Sequence, residues 1–447
     1  MTVYIGCGAG FAGDRFDAAA PIIAELKDRD APKYLMFECL AERTLASAQL
    51  EKVKDPSKGY SPFLDQYFTR HLGPAMAAEV KIVTNLGAAN PLAGARRVRE
   101  IAAQQGLAPP RVAVVMGDDL TETMSDDEIR ALPLMDGEDV IDRQMRAANV
   151  YLGAAPVAEA VATGADVVLV GRTTDSALAL GPLIHEYGWD DLDRLAAGTI
   201  AGHFLECGAQ VTGAYYADPG KKDVPDLAHV GFPIAEVDAD GGFVITKPIG
   251  TGGLVDRATV TEQLLYEMHD PAAYLVPDAT CDVTELTLTG DGENRVRVAG
   301  VKGHAPPDRL KATVSVEFGW MAEAEISYAG IGALARARLA GEIVETRMRD
   351  AGVTEKIAFD IIGAGAIFGR GDRQMPNDPG DGDYRLRLAI ISDDKAVAQL
   401  LNDELYHLYC SGPSAGGGIR NALIPQMATA SVMVPRDLVT PRVEVIG

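Results

Sequence analysis

Over the first 190 or so residues, short apolar runs alternate with longer amphipathic stretches. Runs at Val3–Ile5, Tyr34–Phe37, Val80–Val83, Val112–Val115 and Val167–Val170 are uniformly apolar and short, which predicts buried strands. Between them Asp17–Lys27, Arg96–Gln104 and Ala155–Thr163 carry the helical period. Strands alternating with helices predict an α/β fold, with an N-terminal doubly wound, mostly parallel, Rossmann-like sheet. From about residue 228 the texture changes. Phe243–Thr246, Cys281–Thr289, Arg295–Val301 and Ala312–Phe318 alternate polar and apolar positions, and helical patterns return at Ile331–Leu339 and Lys395–Tyr409. A second α+β domain is expected, with boundaries at 1–227 and 228–447. The run GRGDRQMPNDPGDGD, 369–383, reads as an exposed or mobile loop.

Composition narrows the classes. A chain of 447 residues exceeds one ordinary core, in keeping with two domains. A net charge of −23 would repel a nucleic acid, and no apolar run reaches the roughly 18 residues a membrane span needs. The N-terminal MTVYIGCGAG reads as a first strand, not a signal peptide. The five cysteines form an odd, scattered set with no CxxC pair, which points to reduced thiols in the cytoplasm. An anionic substrate therefore needs a local exception to the overall charge.

The residues just past each predicted strand supply candidate chemistry. The first strand is followed by Gly8 and Gly10, the second by Glu38 and Glu42, the third by Asn85, Gly87 and Asn90. The fourth is followed by Asp118 and Asp119, the fifth by Arg172 and Asp175. Parallel sheets bind ligands beyond the carboxyl ends of their strands, so five polar ends in succession favour one shared site. Each also has a plainer reading, because Gly, Asp and Asn make turns and helix caps. Gly8-x-Gly10-x-x-Gly13 fits a dinucleotide-type glycine turn as well as any tight strand-to-helix connection. Further along, His203 and Glu206 share a helical face as either an acid/base pair or a structural hydrogen bond. The glycine-rich loops KPIGTGG (247–253) and SGPSAGGG (411–418) match no P-loop, yet could hold an anion near Lys247, Thr251, Gly252 and Ser414. Neither a GxSxG elbow nor an HExxH zinc motif is present.

The segments MFECLAERTLA, KIVTNLGAANP, VMGDD, GRTTDSALALGPLIHEYGW, AGHFLECGAQVTG, KPIGTGGLV and GVKGHAPP, in this order, resemble the acyclic terpene utilisation (AtuA) family. The resemblance implies a catabolic role, including breakdown of citronellol- and geraniol-type terpenes through branched acyl-CoA esters. Longer members carry a C-terminal ferredoxin-like domain, sometimes as a separate protein. The resemblance thus suggests a small ferredoxin-like partner subunit, or a member that works alone.

The combined expectation is a cytoplasmic lyase, a hydratase/dehydratase or C–C lyase, acting on a small carboxylate or CoA ester by proton abstraction. His203 would be base or acid, oriented by Glu206. Arg172 would hold a substrate carboxylate, and Asn90 with the Gly8–Gly10 turn would supply anion contacts. Glu38, Asp118 and Asp175 would move a second proton or hold Mg or Mn. The alternatives are an NAD(P)-dependent oxidoreductase using the glycine turn, and a non-catalytic subunit. A homo-oligomer is expected from base rates.

Overall fold

The structure is a computed structural model and describes residues 1–364, 366 and 382–447. Most of the expected 369–383 loop lies outside the described residues.

The chain runs β1 (Thr2–Cys7), α1 (Ala19–Leu26), β2 (Lys33–Phe37), α2 (Glu42–Lys54), α3 (Leu64–Ala77), β3 (Lys81–Thr84), α4 (Pro91–Gln104) and β4 (Val112–Met116). It continues through α5 (Asp126–Arg130), β5 (Leu134–Asp136), β6 (Met145–Val150), α6 (Ala155–Ala162), β7 (Val167–Val170), α7 (Ala177–Tyr187) and α8 (Leu192–Glu206). Next come β8 (Ile234–Asp238), β9 (Phe243–Thr246), α9 (Arg257–Leu265), β10 (Tyr274–Leu275), β11 (Thr280–Asp282), β12 (Thr287–Gly290), β13 (Val296–Ala299) and β14 (Lys302–His304). The last elements are β15 (Arg309–Ala329), α10 (Ala333–Asp350), β16 (Ile357–Ile362), β17 (Asp383–Ser392), α11 (Lys395–Ser411), β18 (Gly417–Pro435) and β19 (Arg442–Ile446).

All five apolar runs of the first part are strands. They form the parallel centre of a ten-stranded sheet ordered β12-β13-β9-β8-β1-β2-β3-β7-β4-β19. The residues of β2 are buried throughout, because helices cover both faces. Leu35 and Phe37 pack with Ile22, Leu26, Phe68 and Val98, from α1, α3 and α4. Tyr34 points the other way and donates its hydroxyl to Glu186 on α7. The helices α6, α7 and α8 pack against one another, with α6 and α7 lying on the parallel strands.

Two expectations are corrected. The sheet is not mostly parallel: the pairs β1–β2, β2–β3, β3–β7 and β7–β4 are parallel. The pairs β12–β13, β13–β9, β9–β8, β8–β1 and β4–β19 are antiparallel. Nor is the order that of a Rossmann fold, which runs outward in both directions from its first strand. Here β1, β2 and β3 step one way, β4 skips a place, and β7 fills it. The fold is mixed α/β.

The chain divides into two compact units, 1–315 with 429–447, and 316–428. A boundary at 227/228 is therefore not where the chain separates. The reason is pairing: β8 zips onto β1 from Gly6–Ile234 to Thr2–Asp238, which binds the second half of the chain into the first sheet. The smaller unit holds the outer parts of β15 and β18 with α10, β16, β17 and α11. Its strands lie in the order β16-β17-β15-β18, and both helices contribute to a core with Ala324, Ile326, Leu386 and Leu388. That βαββαβ arrangement is the split, ferredoxin-like one. Among the described residues no helix is long and apolar enough to cross a membrane.

Candidate functional site

Because β1, β2, β3, β7 and β4 are neighbours and parallel, their carboxyl ends share one edge. Glu38 follows β2 and is 8% exposed. Its Oε1 accepts hydrogen bonds from the Leu40 N–H and from Asn85 Nδ2, each at 2.9 Å. Asn85 returns the link by accepting from the Cys39 N–H at 2.8 Å. Burial raises the Glu38 carboxyl's proton affinity, and the Glu206 carboxylate adds to it; the two hydrogen bonds and Arg172 pull the other way without cancelling it.

Arg172, just past Gly171 at the end of β7, is buried, and its Nε has no hydrogen-bond partner. It donates to the Leu40 carbonyl and, at 2.7 Å, to Asp175 Oδ1. Its guanidinium lies 4.2 Å from the centre of the Tyr151 ring. Burial opposes its charge, but Asp175 and the other anions around it outweigh that and hold it protonated. Tyr151 in turn donates its hydroxyl to Glu42, which also faces Lys311 at 3.7 Å. These contacts fix the guanidinium's orientation and leave part of its five-donor fork without a partner. The guanidinium ties α2, β6 and β7 together.

Asp175 and Glu42 are the more exposed carboxylates of the cluster. The Asp175 side chain is 35% exposed, against 12% for Glu206. Loss of water around it raises its proton affinity well above the usual carboxyl range; Arg172 opposes this, while Glu38, Glu206 and Glu42 reinforce it. Tyr274 adds another buried hydroxyl beside Glu206 and Asp175.

Asp118 and Asp119 divide two tasks. Asp119 caps a short helical turn through the Thr121 N–H and hydroxyl, at 3.1 and 2.6 Å. Asp118 is buried, and its Oδ2 accepts from the Arg172 N–H and Asn149 Nδ2, each at 2.9 Å. Burial pushes it up to about 6. Among the described residues no group of three or more His, Cys, Asp or Glu side chains is placed to hold a metal ion.

His203 and Glu206 meet as expected, at 2.9 Å between Nδ1 and Oε1. The other ring nitrogen, Nε2, faces the carbonyls of Gln263 and Leu264 at 3.0 and 3.2 Å. Acceptors on both sides favour a ring that donates from both nitrogens. Burial opposes this charge, but Glu206 and the two carbonyls outweigh it and raise the imidazole's proton affinity. Of the two expected roles, base or acid, this arrangement favours the acid.

Other candidates are placed elsewhere. Asn90 caps α4, accepting from the Ala93 N–H and donating to the Pro56 and Lys58 carbonyls, so it has no amide left for an oxyanion. Gly8 donates to Met36, and Gly10 donates to Asp14 Oδ2 at 2.9 Å, so a carboxylate already occupies the glycine turn. A Cβ at Gly10 would fall 2.3 Å from the Cys207 backbone: this glycine permits close packing, not a pyrophosphate. Gly252 likewise abuts the Asp226 carbonyl, at 1.9 Å from a built Cβ. Lys247 and Thr251 line a separate cavity. Ser414 belongs to the smaller unit, where its carbonyl accepts from Arg336.

A cavity of about 570 Å³ adjoins the cluster, with Cys39 and Leu40 in its wall beside Ala48 and Phe63. Arg43 and Lys58 also line it, and Lys58 is shared with a neighbouring cleft that contains Arg96. Glu51 and Asp65 line the same cavity, so its charged residues are of both signs. Sequence reading missed Tyr151 and Asn149, because β6 lacks the uniformly apolar run that marked the other strands.

No match was found among curated proteins or among solved structures. The family model described as acyclic terpene utilisation family protein AtuA matches residues 3–445, nearly the whole chain. The chain belongs to the AtuA family.

Proposed function

We propose that this chain is a catabolic lyase, a hydratase or dehydratase, acting on a small hydroxy acid or its acyl-CoA thioester. The observation that carries the reading is Asp175, a reachable carboxyl whose proton affinity is raised at the shared strand-end edge. A carboxyl whose proton affinity is raised in this way is suited to proton transfer. Asp175 removes the proton from the carbon beside the carbonyl, and the hydroxyl departs as water after gaining a proton; hydration is the reverse. Glu38 and Glu206 set the proton affinity of Asp175, and Arg172 positions it.

The neighbouring cavity supports an acyl substrate. Its wall of Leu40, Ala48 and Phe63 suits a hydrocarbon or pantetheine arm, and Arg43, Lys58 and Arg96 suit a carboxylate or phosphate end. The family's description, acyclic terpene utilisation, agrees with a branched apolar chain.

Exchange in D2O tests the reading directly. An acyl-CoA thioester incubated with the protein is expected to gain deuterium beside its carbonyl, detected by mass spectrometry. Asp175→Asn should slow this about 100-fold or more while leaving the circular dichroism unchanged. Full exchange in the folded variant would sink the proposal.

A further inference from the structure

A second cavity, of about 420 Å³, lies beside α1, β8 and the turn after β9, and shares no lining residue with the apolar one. Three cations line it, and two are matched. Arg29 pairs with Glu25 at 3.0 Å and lies over the Tyr4 ring. Arg295 forks onto both oxygens of Glu236, at 2.9 and 2.7 Å.

Lys247 is different. It is 7% exposed, and its ammonium donates to the Thr251 carbonyl at 2.6 Å and approaches the Thr251 hydroxyl at 3.5 Å. Among the described residues no carboxylate lies within ion-pair distance of it, and Glu293, exposed on the cavity wall, favours its charge only from farther away. A buried ammonium satisfied only by neutral oxygens is unfavourable unless an opposite charge enters. Burial accordingly lowers its proton affinity. The turn above it is accessible, since Ile249 is 86% exposed and Gly250 has φ +79°.

We infer that this cavity is an anion site in which Lys247 holds a small carboxylate or phosphate. It stands apart from the Asp175 proposal and survives that proposal's failure.

Thermal unfolding of the full chain tests it, in inorganic phosphate and in acetate, against chloride at matched ionic strength. A saturable rise of several degrees is expected in phosphate or acetate and not in chloride, because an anion bound only by the folded state stabilises it. Comparing the two anions assigns the ligand class. Lys247→Met should abolish the rise and, without anion, melt no lower than the parent, since it removes a buried charge at similar volume. Lys247→Gln serves as a second variant if Met does not fold. No saturable rise with either anion, or an equal rise in the Lys247 variants, would overturn the assignment.

Discussion

Asp118 Oδ2 lies 2.9 Å from the backbone nitrogen of Arg172, so a buried carboxylate joins the ends of β4 and β7. The junction has no spare room: a Cβ at Gly171 would fall 2.6 Å from Asp118 Oδ1. Gly171→Ala is expected to force the two strand ends apart at a cost of about 1–3 kcal/mol. A lower urea midpoint would report it; an unchanged midpoint would mean that the carboxylate can swing aside.

Asp118, buried, and Asp278, half-buried, make stability depend on pH in a direction opposite to that of most surface carboxylates. Asp118 and Asp278 are both raised, chiefly by burial, from 3.8 to about 6. Below the unfolded value both states hold the proton. Between about 4 and 6 the unfolded state releases it first, so each group withdraws stability as pH rises, on the order of 2 kcal/mol, and the loss is complete above about 6. Asp278 accepts the Ala154 N–H on both oxygens, at 2.9 and 3.1 Å, ahead of α6. Asp278→Asn should keep an acceptor there and flatten part of the slope, whereas Asp278→Ala should lose about 1 kcal/mol at any pH. Urea titrations at pH 4, 5 and 7 distinguish the two variants from the parent.

His203 acts with the same sign in a higher pH window. Its raised proton affinity stabilises the fold fully below roughly 6.5, and the contribution fades as pH climbs through the folded value. Nitrogen-detected NMR should find both ring nitrogens protonated at pH 7. A bare nitrogen at that pH would restore His203 as a candidate base.

Removing only the Tyr151 hydroxyl separates its two roles. Tyr151→Phe keeps the ring against Arg172 but takes the donor from Glu42, whose carboxyl is now lowered, against burial, by that hydroxyl, Arg172 and Lys311. The expected loss is about 1 kcal/mol, with a Glu42 carboxyl that titrates higher. Tyr151→Ala should cost more, because the stacked guanidinium loses its platform. Equal losses in the two variants would assign the whole effect to the hydroxyl.

The legible part of this fold was whatever repeats locally. Val167–Val170 and Val112–Val115 announced themselves because strands covered on both faces are uniformly apolar. β8 could not be assigned to the first sheet, since which strand it pairs with depends on partners hundreds of residues away. The same division holds at the site. Glu38, Asp118, Arg172 and Asp175 were visible because strand ends are a place where polar residues gather. Their roles were not, because a role depends on what already occupies each hydrogen-bonding atom. Leu40, Asp175 and Tyr151, which hold Arg172, come from separate stretches of chain that no local pattern joins. His203 reads as base or acid until Gln263 and Leu264 are seen on its far side.

The larger unit is written in two pieces, 1–315 and 429–447, with the whole smaller unit between them. During synthesis β4 must therefore wait, with one edge unpaired, until β19 is made more than three hundred residues later. The smaller unit has all its strands and helices before that and can mature first. A ribosome stalled anywhere between the two pieces would leave an exposed apolar strand edge, the kind of surface that chaperones recognise and that aggregates when they do not.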